Sequence, residues 1–137
     1  MITRLAHICI GALDLEKTEQ FYTQVLGLRK AFDFRKGPAR FGFYIEVGGG
    51  TFLEAFQQAE PFRGDQPGLR HICLEVDSID ATIAQIKAAG WPIGEKKLGA
   101  DQSWQVWLKD PNGHAIELHE YTPESSQRTG ATVIVNW

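Results

Sequence analysis

Two histidines and two glutamates occupy matching places in two similar stretches of this 137-residue chain. His7 opens the segment His-Ile-Cys-Ile and His71 opens His-Ile-Cys-Leu 64 residues later, while Glu54 and Glu117 recur at an offset of 63. Imidazole nitrogens and carboxylate oxygens together suit a divalent ion of Ni, Co, Zn, Mn or Fe. Both glutamates stand among apolar residues, where an unpartnered carboxylate is costly to desolvate. The pattern predicts one divalent metal ion held by four side chains: His7, Glu54, His71 and Glu117.

Each of these four residues, taken singly, has an ordinary structural explanation. A histidine on a strand is usually a hydrogen-bonded structural residue, and a glutamate on a half-exposed strand usually faces solvent. The recurrence of both types in register, twice in one chain, favours the metal site over these explanations.

The segments around each pair predict the same order of elements. After the first histidine, Asp14 is a suitable N-cap for an amphipathic helix that Gly27 ends. After the second, Asp77 or Ser78 caps a helix that ends at Gly90. Strands rich in β-branched and aromatic residues follow each helix. We place them at 28–35, 40–47, 51–57, 92–97, 103–109 and 114–121.

The resulting fold class is α+β, with two βαβββ modules. We expect a single domain over 1–121, divided into module one at 1–57, a linker at 58–68 and module two at 69–121. The remaining residues, 122–137, form a tail whose start is linker-like and whose alternating end, 131–137, has the pattern of a strand. Modules of this size bury little surface alone, so two halves, of one chain or of two chains, should pack edge to edge.

Composition excludes several classes of function. Hydrophobic residues make up 43% and charged residues 23%, which is typical of a folded globular protein. A net charge of −3 provides no general attraction to nucleic acid or to an anionic membrane. Two cysteines do not make a disulfide scaffold, and the chain shows no leader pattern. We therefore expect a soluble cytoplasmic protein that has neither nucleic acid nor a membrane as its partner.

The two βαβββ halves and four segments of this chain resemble the vicinal oxygen chelate superfamily. The segments are His7–Ile10, Phe21–Leu28, His71–Val76 and Asp110–Leu118. This superfamily includes glyoxalase I, methylmalonyl-CoA epimerase, extradiol dioxygenases, fosfomycin-resistance enzymes and bleomycin-binding proteins, and the resemblance covers about residues 3–121. It implies paired βαβββ units whose strands curl into a cup around one metal ion. The ligand positions of the family fall on His7, Glu54, His71 and Glu117.

The four-ligand pattern is most similar to glyoxalase I. That resemblance implies a lyase or isomerase whose small substrate is chelated through vicinal oxygens. In such enzymes the metal stabilises an enediolate, and a ligand carboxylate, here Glu54 or Glu117, moves the proton. Two alternatives stay open. An extradiol-type Fe(II) dioxygenase needs only His7, His71 and Glu117, and a binding or resistance protein needs no catalysis. A homodimer is the expected assembly.

The chain departs from its relatives' patterns at three places. Gly11 stands where bacterial glyoxalase I has an arginine that grips glutathione, and Gln57-Gln58 stands near its glutathione-contacting asparagine. Gly37 stands where the epimerases carry a separate glutamate base. The reaction class is therefore better supported than the substrate.

Three further expectations concern residues near the predicted ligands and the walls of the pocket. Cys9 and Cys73 share strand faces with the histidines, but we expect small buried apolar residues rather than ligands, because the four-ligand set is complete. His119 shares a face with Glu117 and is a candidate secondary acid or base, although a structural role is the ordinary expectation. The pocket walls are expected to include some of four aromatic residues: Phe41, Phe43, Trp104 and Trp107.

Overall fold

The fold is that of a computed structural model, which describes residues 5–60 and 69–133. Within these residues the chain divides into two compact units. The first unit contains residues 5–60 together with Asp110–Gly113, and the second contains residues 69–109 and 114–133.

Unit one has a strand, a helix and three further strands. These are β1 (His7–Ala12), α1 (Leu15–Gln20, continuing as a π-helical turn over Phe21–Val25), β2 (Arg29–Lys36), β3 (Ala39–Gly48) and β4 (Thr51–Gln57). The strands form a mixed sheet in the order β1-β4-β3-β2, in which β1 runs parallel to β4 and the other pairs are antiparallel.

The predicted start and stop of the first helix are confirmed. The Asp14 carboxylate accepts hydrogen bonds from the backbone N–H groups of Glu16 and Lys17, each at 3.0 Å, and so satisfies two free donors of the first turn. Gly27 has φ +71°, a conformation that ends helices and favours glycine.

Alternation along the strands of unit one separates an apolar face from the face on which the predicted ligands of this unit lie. The core consists of sheet and helix side chains that are at most 7% exposed: Ile10, Ala12, Phe43, Ile45, Leu53, Ala55, Phe21, Tyr22 and Val25. Because successive side chains point to opposite faces, His7, Cys9 and Glu54 lie on the other face.

Gly42 on β3 allows an aromatic ring from β4 to pack over the backbone of this strand. A Cβ atom at this position would lie 2.4 Å from the Ala55 carbonyl oxygen and 2.4 Å from the Phe56 ring. The Phe56 ring therefore rests on the backbone of β3, and it also contacts the Phe34 ring at a centroid distance of 5.0 Å.

Unit two repeats the order of elements in unit one. It contains β5 (Ile72–Glu75), α2 (Ile79–Ala88), β6 (Lys97–Leu98), β7 (Ser103–Lys109), β8 (Ala115–Tyr121) and α3 (Ser126–Thr129). Its sheet has the order β5-β8-β7-β6, with β5 parallel to β8. The core again lies between the sheet and a helix: Ile72, Ile79, Ile86, Val106, Leu108, Ile116 and Leu118. The predicted α+β fold with two βαβββ modules is thus confirmed, and Ser78 is the cap of the second helix.

Two predicted strand boundaries in unit two are wrong. The strand expected at 92–97 is reduced to Lys97–Leu98, because Pro92 has no N–H to donate and a single backbone bond, from Gly94 to the Trp107 carbonyl at 2.9 Å, joins this segment to β7. His71 was expected to begin a strand but precedes β5 by one residue.

The beginning of the tail is ordered by a buried serine. The Ser125 hydroxyl accepts from the Thr122 N–H at 2.7 Å and from the Ser103 hydroxyl at 3.1 Å. The next four residues form α3, which ends at Gly130 with φ +70°. Residues 122–130, although linker-like in composition, therefore contain one short helix.

Parts of two predictions lie outside the described residues. They are the portion 61–68 of the expected linker and the portion 134–137 of the expected terminal strand. Among the helices of the described part, none has the length and apolar character needed to cross a membrane.

The turn at Asp110–Gly113 belongs to unit one by its contacts. The Gly113 N–H donates to the Asp110 carbonyl at 3.1 Å, which confirms the predicted tight turn. Asn112 is buried and uses both ends of its amide. Its Oδ1 accepts from the Leu13 N–H at 2.9 Å, while its Nδ2 donates to Thr18 Oγ1 at 3.0 Å and to Asp110 Oδ2 at 3.1 Å.

Candidate metal centre

The first histidine and glutamate lie together on the exposed face of the sheet in unit one. The parallel register of β1 and β4 sets Cys9 opposite Glu54, and His7, two residues before Cys9 on β1, lies on the same face and reaches the same carboxylate. His7 Nε2 is 3.9 Å from Glu54 Oε2. The glutamate side chain is 14% exposed and that of the histidine 45%. A largely buried carboxylate therefore faces an accessible imidazole.

Tyr44, on β3, holds the ring of His7 from across β4. It stands opposite Glu54 in the antiparallel register of β3 and β4. Its hydroxyl shares a hydrogen bond of 3.2 Å with His7 Nδ1, and the two ring centroids are 5.7 Å apart. Burial and the adjacent Glu54 raise the pKa of Tyr44. The hydroxyl therefore stays protonated. Because it contacts Nδ1, Nε2 is the nitrogen of His7 that faces the Glu54 carboxylate.

Aromatic side chains extend this face across β2, β3 and β4. Phe32 stacks on Tyr44 at 4.7 Å, and Phe52 contacts the same ring at 5.5 Å. Phe32 remains 49% exposed. Of the aromatic residues singled out from the sequence, Phe43 is fully buried on the opposite face, because strand alternation directs it toward the core. Phe43 is therefore not among the candidates that line this face.

The second histidine and glutamate are brought together in unit two. His71 Nε2 is 3.3 Å from Glu117 Oε2, and Glu117 is 10% exposed. The ring of Trp107, which stands opposite Glu117 on β7, packs edge-on against His71 at 4.9 Å. The Trp107 indole N–H donates to Gln105 Oε1 at 3.0 Å, which fixes the ring in this position. Trp107 is 39% exposed and lines the face, as expected for a wall.

His119 approaches Glu117 from the other side. Its Nε2 is 3.0 Å from Glu117 Oε1, so the two carboxylate oxygens each face an imidazole. The His119 side chain is 9% exposed. The two-residue spacing of Glu117 and His119 predicted that both side chains share a face of the strand, but the position of the His119 ring depends on the fold.

Both cysteines lie beside the glutamates and are exposed, so the expectation of buried apolar residues is wrong. Alternation carries them to the face away from the helices, with Cys9 opposite Glu54 and Cys73 opposite Glu117. Desolvation together with Glu54 raises the pKa of Cys9 to about 11. Desolvation together with the charge of Glu117 raises the pKa of Cys73 to about 12. Both side chains are therefore thiols at neutral pH.

The space above Gly11 is filled by a neighbouring side chain of unit one. A Cβ atom at Gly11 would lie 1.6 Å from Gln58 Oε1. The adjacent Gln57 donates through Nε2 to the Leu13 carbonyl at 2.7 Å. A side chain at position 11 would therefore displace the carboxamide of Gln58.

A family model described as the Glyoxalase/Bleomycin resistance protein/Dioxygenase superfamily matches residues 4–118. A probable lactoylglutathione lyase of Vibrio cholerae is 34% identical over 126 residues, which cover 84% of this chain and 88% of the relative. The mitochondrial methylmalonyl-CoA epimerase of Mus musculus is 29% identical over 133 residues, which cover 85% of this chain and 72% of that enzyme.

A solved structure shows the same fold. It is an antibiotic-binding protein from a Streptomyces strain, with a TM-score of 0.72 and 24% identity over 88% of this chain and 98% of that one. The two sequence relatives are named for different reactions, and the solved structure is named for antibiotic binding. Similarity therefore does not decide the reaction of this chain.

Proposed function

The chain belongs to the Glyoxalase/Bleomycin resistance protein/Dioxygenase superfamily, and from that premise we propose a metal-dependent lyase or isomerase acting on a small substrate with vicinal oxygens. One observation carries the proposal: in each unit a histidine lies beside a largely buried glutamate, at 3.9 Å in the first and 3.3 Å in the second. The proposed ligands of one divalent ion are His7, Glu54, His71 and Glu117.

The donor set suits such an ion. Glu54 and Glu117 are 14% and 10% exposed and face imidazole nitrogens, which are neutral ligands at neutral pH when they bind a metal. Burying two carboxylates beside uncharged groups is unfavourable unless a cation is present. Tyr44 supplies the outer hydrogen bond that metal-binding histidines commonly make.

We assign proton transfer to Glu54 and the anchoring role to Glu117. When bound, a divalent cation supplies a Lewis acid that stabilises negative charge developing on substrate oxygens. The Glu54 carboxylate has one imidazole neighbour at 3.9 Å, whereas both oxygens of Glu117 face imidazoles at 3.3 and 3.0 Å. Glu54 is therefore freer to take a proton from the carbon next to a substrate carbonyl and return it to the adjacent carbon.

Metal analysis coupled to a substrate screen tests the proposal. The purified protein is expected to retain or regain stoichiometric divalent metal and to turn over an α-hydroxycarbonyl or hemithioacetal. The screen offers methylglyoxal with several thiols, acyl-CoA epimers, and catechols under oxygen. Oxygen consumption with a catechol would contradict the proposal and identify a dioxygenase instead. Failure to bind metal at all would replace it by a small-molecule binding protein.

The same screen tests the meaning of Gly11. We expect the hemithioacetal of a small thiol to be turned over with a kcat/KM at least equal to that of the glutathione adduct. The reason is that no cationic side chain stands at this position and Gln58 fills its space. A rate with the glutathione adduct that far exceeds all others would contradict this prediction.

Tyr44→Phe tests the hydrogen bond to His7. Loss of this outer contact is expected to weaken divalent metal binding roughly 10- to 100-fold, measured by competition with a chelating dye. Tyr121→Phe is the matched control, since its ring packs edge-on against His119 at 5.8 Å and the ring is kept. Equal metal affinity in Tyr44→Phe and the unchanged protein would show that the Tyr44 hydroxyl does not support metal binding.

The proposal includes a cytoplasmic homodimer. Several large apolar side chains are exposed on the described part of the chain, and a second copy would cover some of them: Leu5, Leu13, Phe32, Leu69, Leu98 and Trp107. Sedimentation velocity is expected to give twice the mass of one chain, and a monomer at micromolar concentration would contradict this part.

A further inference from the structure

A second group of potential ligands lies wholly within unit two. Cys73 on β5 stands opposite Glu117 on β8, and His119 follows Glu117 on the same face. One ligand atom from each of the three residues, the Cys73 sulfur, a Glu117 oxygen and a His119 nitrogen, lies within 4.8 Å of the other two. This is close to the spacing of donor atoms around a single small cation.

His119 is the observation that indicates a missing partner. The side chain is more than nine-tenths buried, yet neither ring nitrogen makes a hydrogen bond of acceptable geometry to any described residue. Its Nε2 nevertheless lies 3.0 Å from Glu117 Oε1. Buried polar groups are nearly always partnered, because leaving one unpartnered is costly. A cation beside Glu117 would give this nitrogen its partner.

The internal repeat provides a comparison within the same chain. In unit one, Cys9 and Glu54 stand opposite each other as Cys73 and Glu117 do in unit two. The residue two places beyond Glu54 is Phe56, however, so unit one has no counterpart of His119. Among the residues that the structure describes, unit two alone brings a sulfur, an oxygen and a nitrogen ligand atom within 4.8 Å of one another.

We propose that Cys73, Glu117 and His119 bind a thiophilic divalent cation of the Zn²⁺ class. A thiolate, an imidazole and a carboxylate suit Zn²⁺ or Co²⁺ and discriminate against Mg²⁺ and Mn²⁺, which prefer oxygen. Binding forms a metal–sulfur bond and releases the thiol proton to solvent. The inference rests on the proposed function only in taking Glu117 as a ligand, and it adds a selectivity for soft ions.

Cobalt is the probe that reports a sulfur ligand directly. Titration of the full chain with Co²⁺, in the presence of a phosphine reductant, is expected to produce a near-ultraviolet sulfur-to-cobalt charge-transfer band that saturates at one sulfur-bound ion per chain. Cys73→Ser is expected to lose the band, while the matched variant Cys9→Ser keeps it. His119→Ala is expected to weaken Co²⁺ binding by more than about tenfold. Far-UV circular dichroism checks that each variant is folded.

Glu54→Ala separates this inference from the proposed function. A band that persists in Glu54→Ala supports a site contained in unit two. Stoichiometric Co²⁺ that gives no sulfur band and is lost in Glu54→Ala would overturn the inference and support the four-ligand site. A band unchanged by Cys73→Ser would also overturn it. The absence of any bound Co²⁺ would overturn both.

Discussion

Replacing Glu117 by alanine is expected to abolish stoichiometric binding of divalent metal and to lower kcat/KM by about 10³-fold or more. Glu117 is the residue on which both imidazoles of unit two converge, with His71 at 3.3 Å and His119 at 3.0 Å. Removing the carboxylate takes away a proposed ligand and leaves two imidazoles beside a void. Metal content by elemental analysis and steady-state rates on the substrate found in the screen measure the effect.

Two further variants make this result specific. Glu95→Ala removes an exposed carboxylate of unit two and is expected to change metal content and rate by less than about twofold. Glu54→Gln is expected to retain part of the metal affinity but to lose about 10²- to 10⁴-fold in kcat, because a carboxamide does not accept the substrate proton. Full turnover by Glu54→Gln would show that Glu54 is not the base. Normal metal binding by Glu117→Ala would contradict its role as a ligand.

The second large effect concerns stability. Asn112→Ala is expected to lower the free energy of unfolding by about 3 kcal/mol, measured by urea denaturation. The buried amide of Asn112 bonds the Leu13 N–H, the Thr18 hydroxyl and the Asp110 carboxylate, all within unit one. Truncation removes the acceptor of the buried Leu13 N–H and one donor each from Thr18 and Asp110, which keep their bonds to the Asp14 carbonyl and the Tyr22 hydroxyl.

Gln24→Ala is the control for this prediction. Gln24 is exposed on the π-helical turn of unit one, and its truncation is expected to change the free energy of unfolding by less than about 0.5 kcal/mol. A double-mutant cycle with Thr18→Val isolates the coupling across the bond of 3.0 Å. A loss below about 1 kcal/mol for Asn112→Ala would mean that water replaces these bonds, and it would contradict the stabilising role of the turn.

Much of the fold was predictable because its signals are local. Period-two alternation separates the apolar face from the face of His7 and Glu54, and it does not depend on which strands are neighbours. The caps at Asp14 and Ser78 and the stop at Gly27 likewise depend on residues within a few positions. The one large error, the strand at 92–97, arose because apolar and aromatic residues around Pro92 suggested pairing that proline does not support.

The finer structure around each glutamate was not predictable from local signals. Tyr44 reaches His7 across β4, and His119 and His71 approach opposite oxygens of Glu117 from separate elements. The exposure of both cysteines was misjudged, because the thiol suggested a buried apolar residue and the complete ligand set suggested no other role. Asn112 was identified only as part of a turn, although its amide joins residues 94 and 99 positions away.

The sequence by itself determined the repeated βαβββ order and the pairing of one histidine with one glutamate in each half, because both follow from the period of a strand and from an internal repeat. Only the tertiary structure decided that Glu117 lies between two imidazoles while Glu54 faces one, and that Cys73 completes a donor set that Cys9 does not. The physical reason is that these contacts depend on register between strands that are distant in sequence. Long-range register arises from packing of the whole sheet, which no short segment encodes.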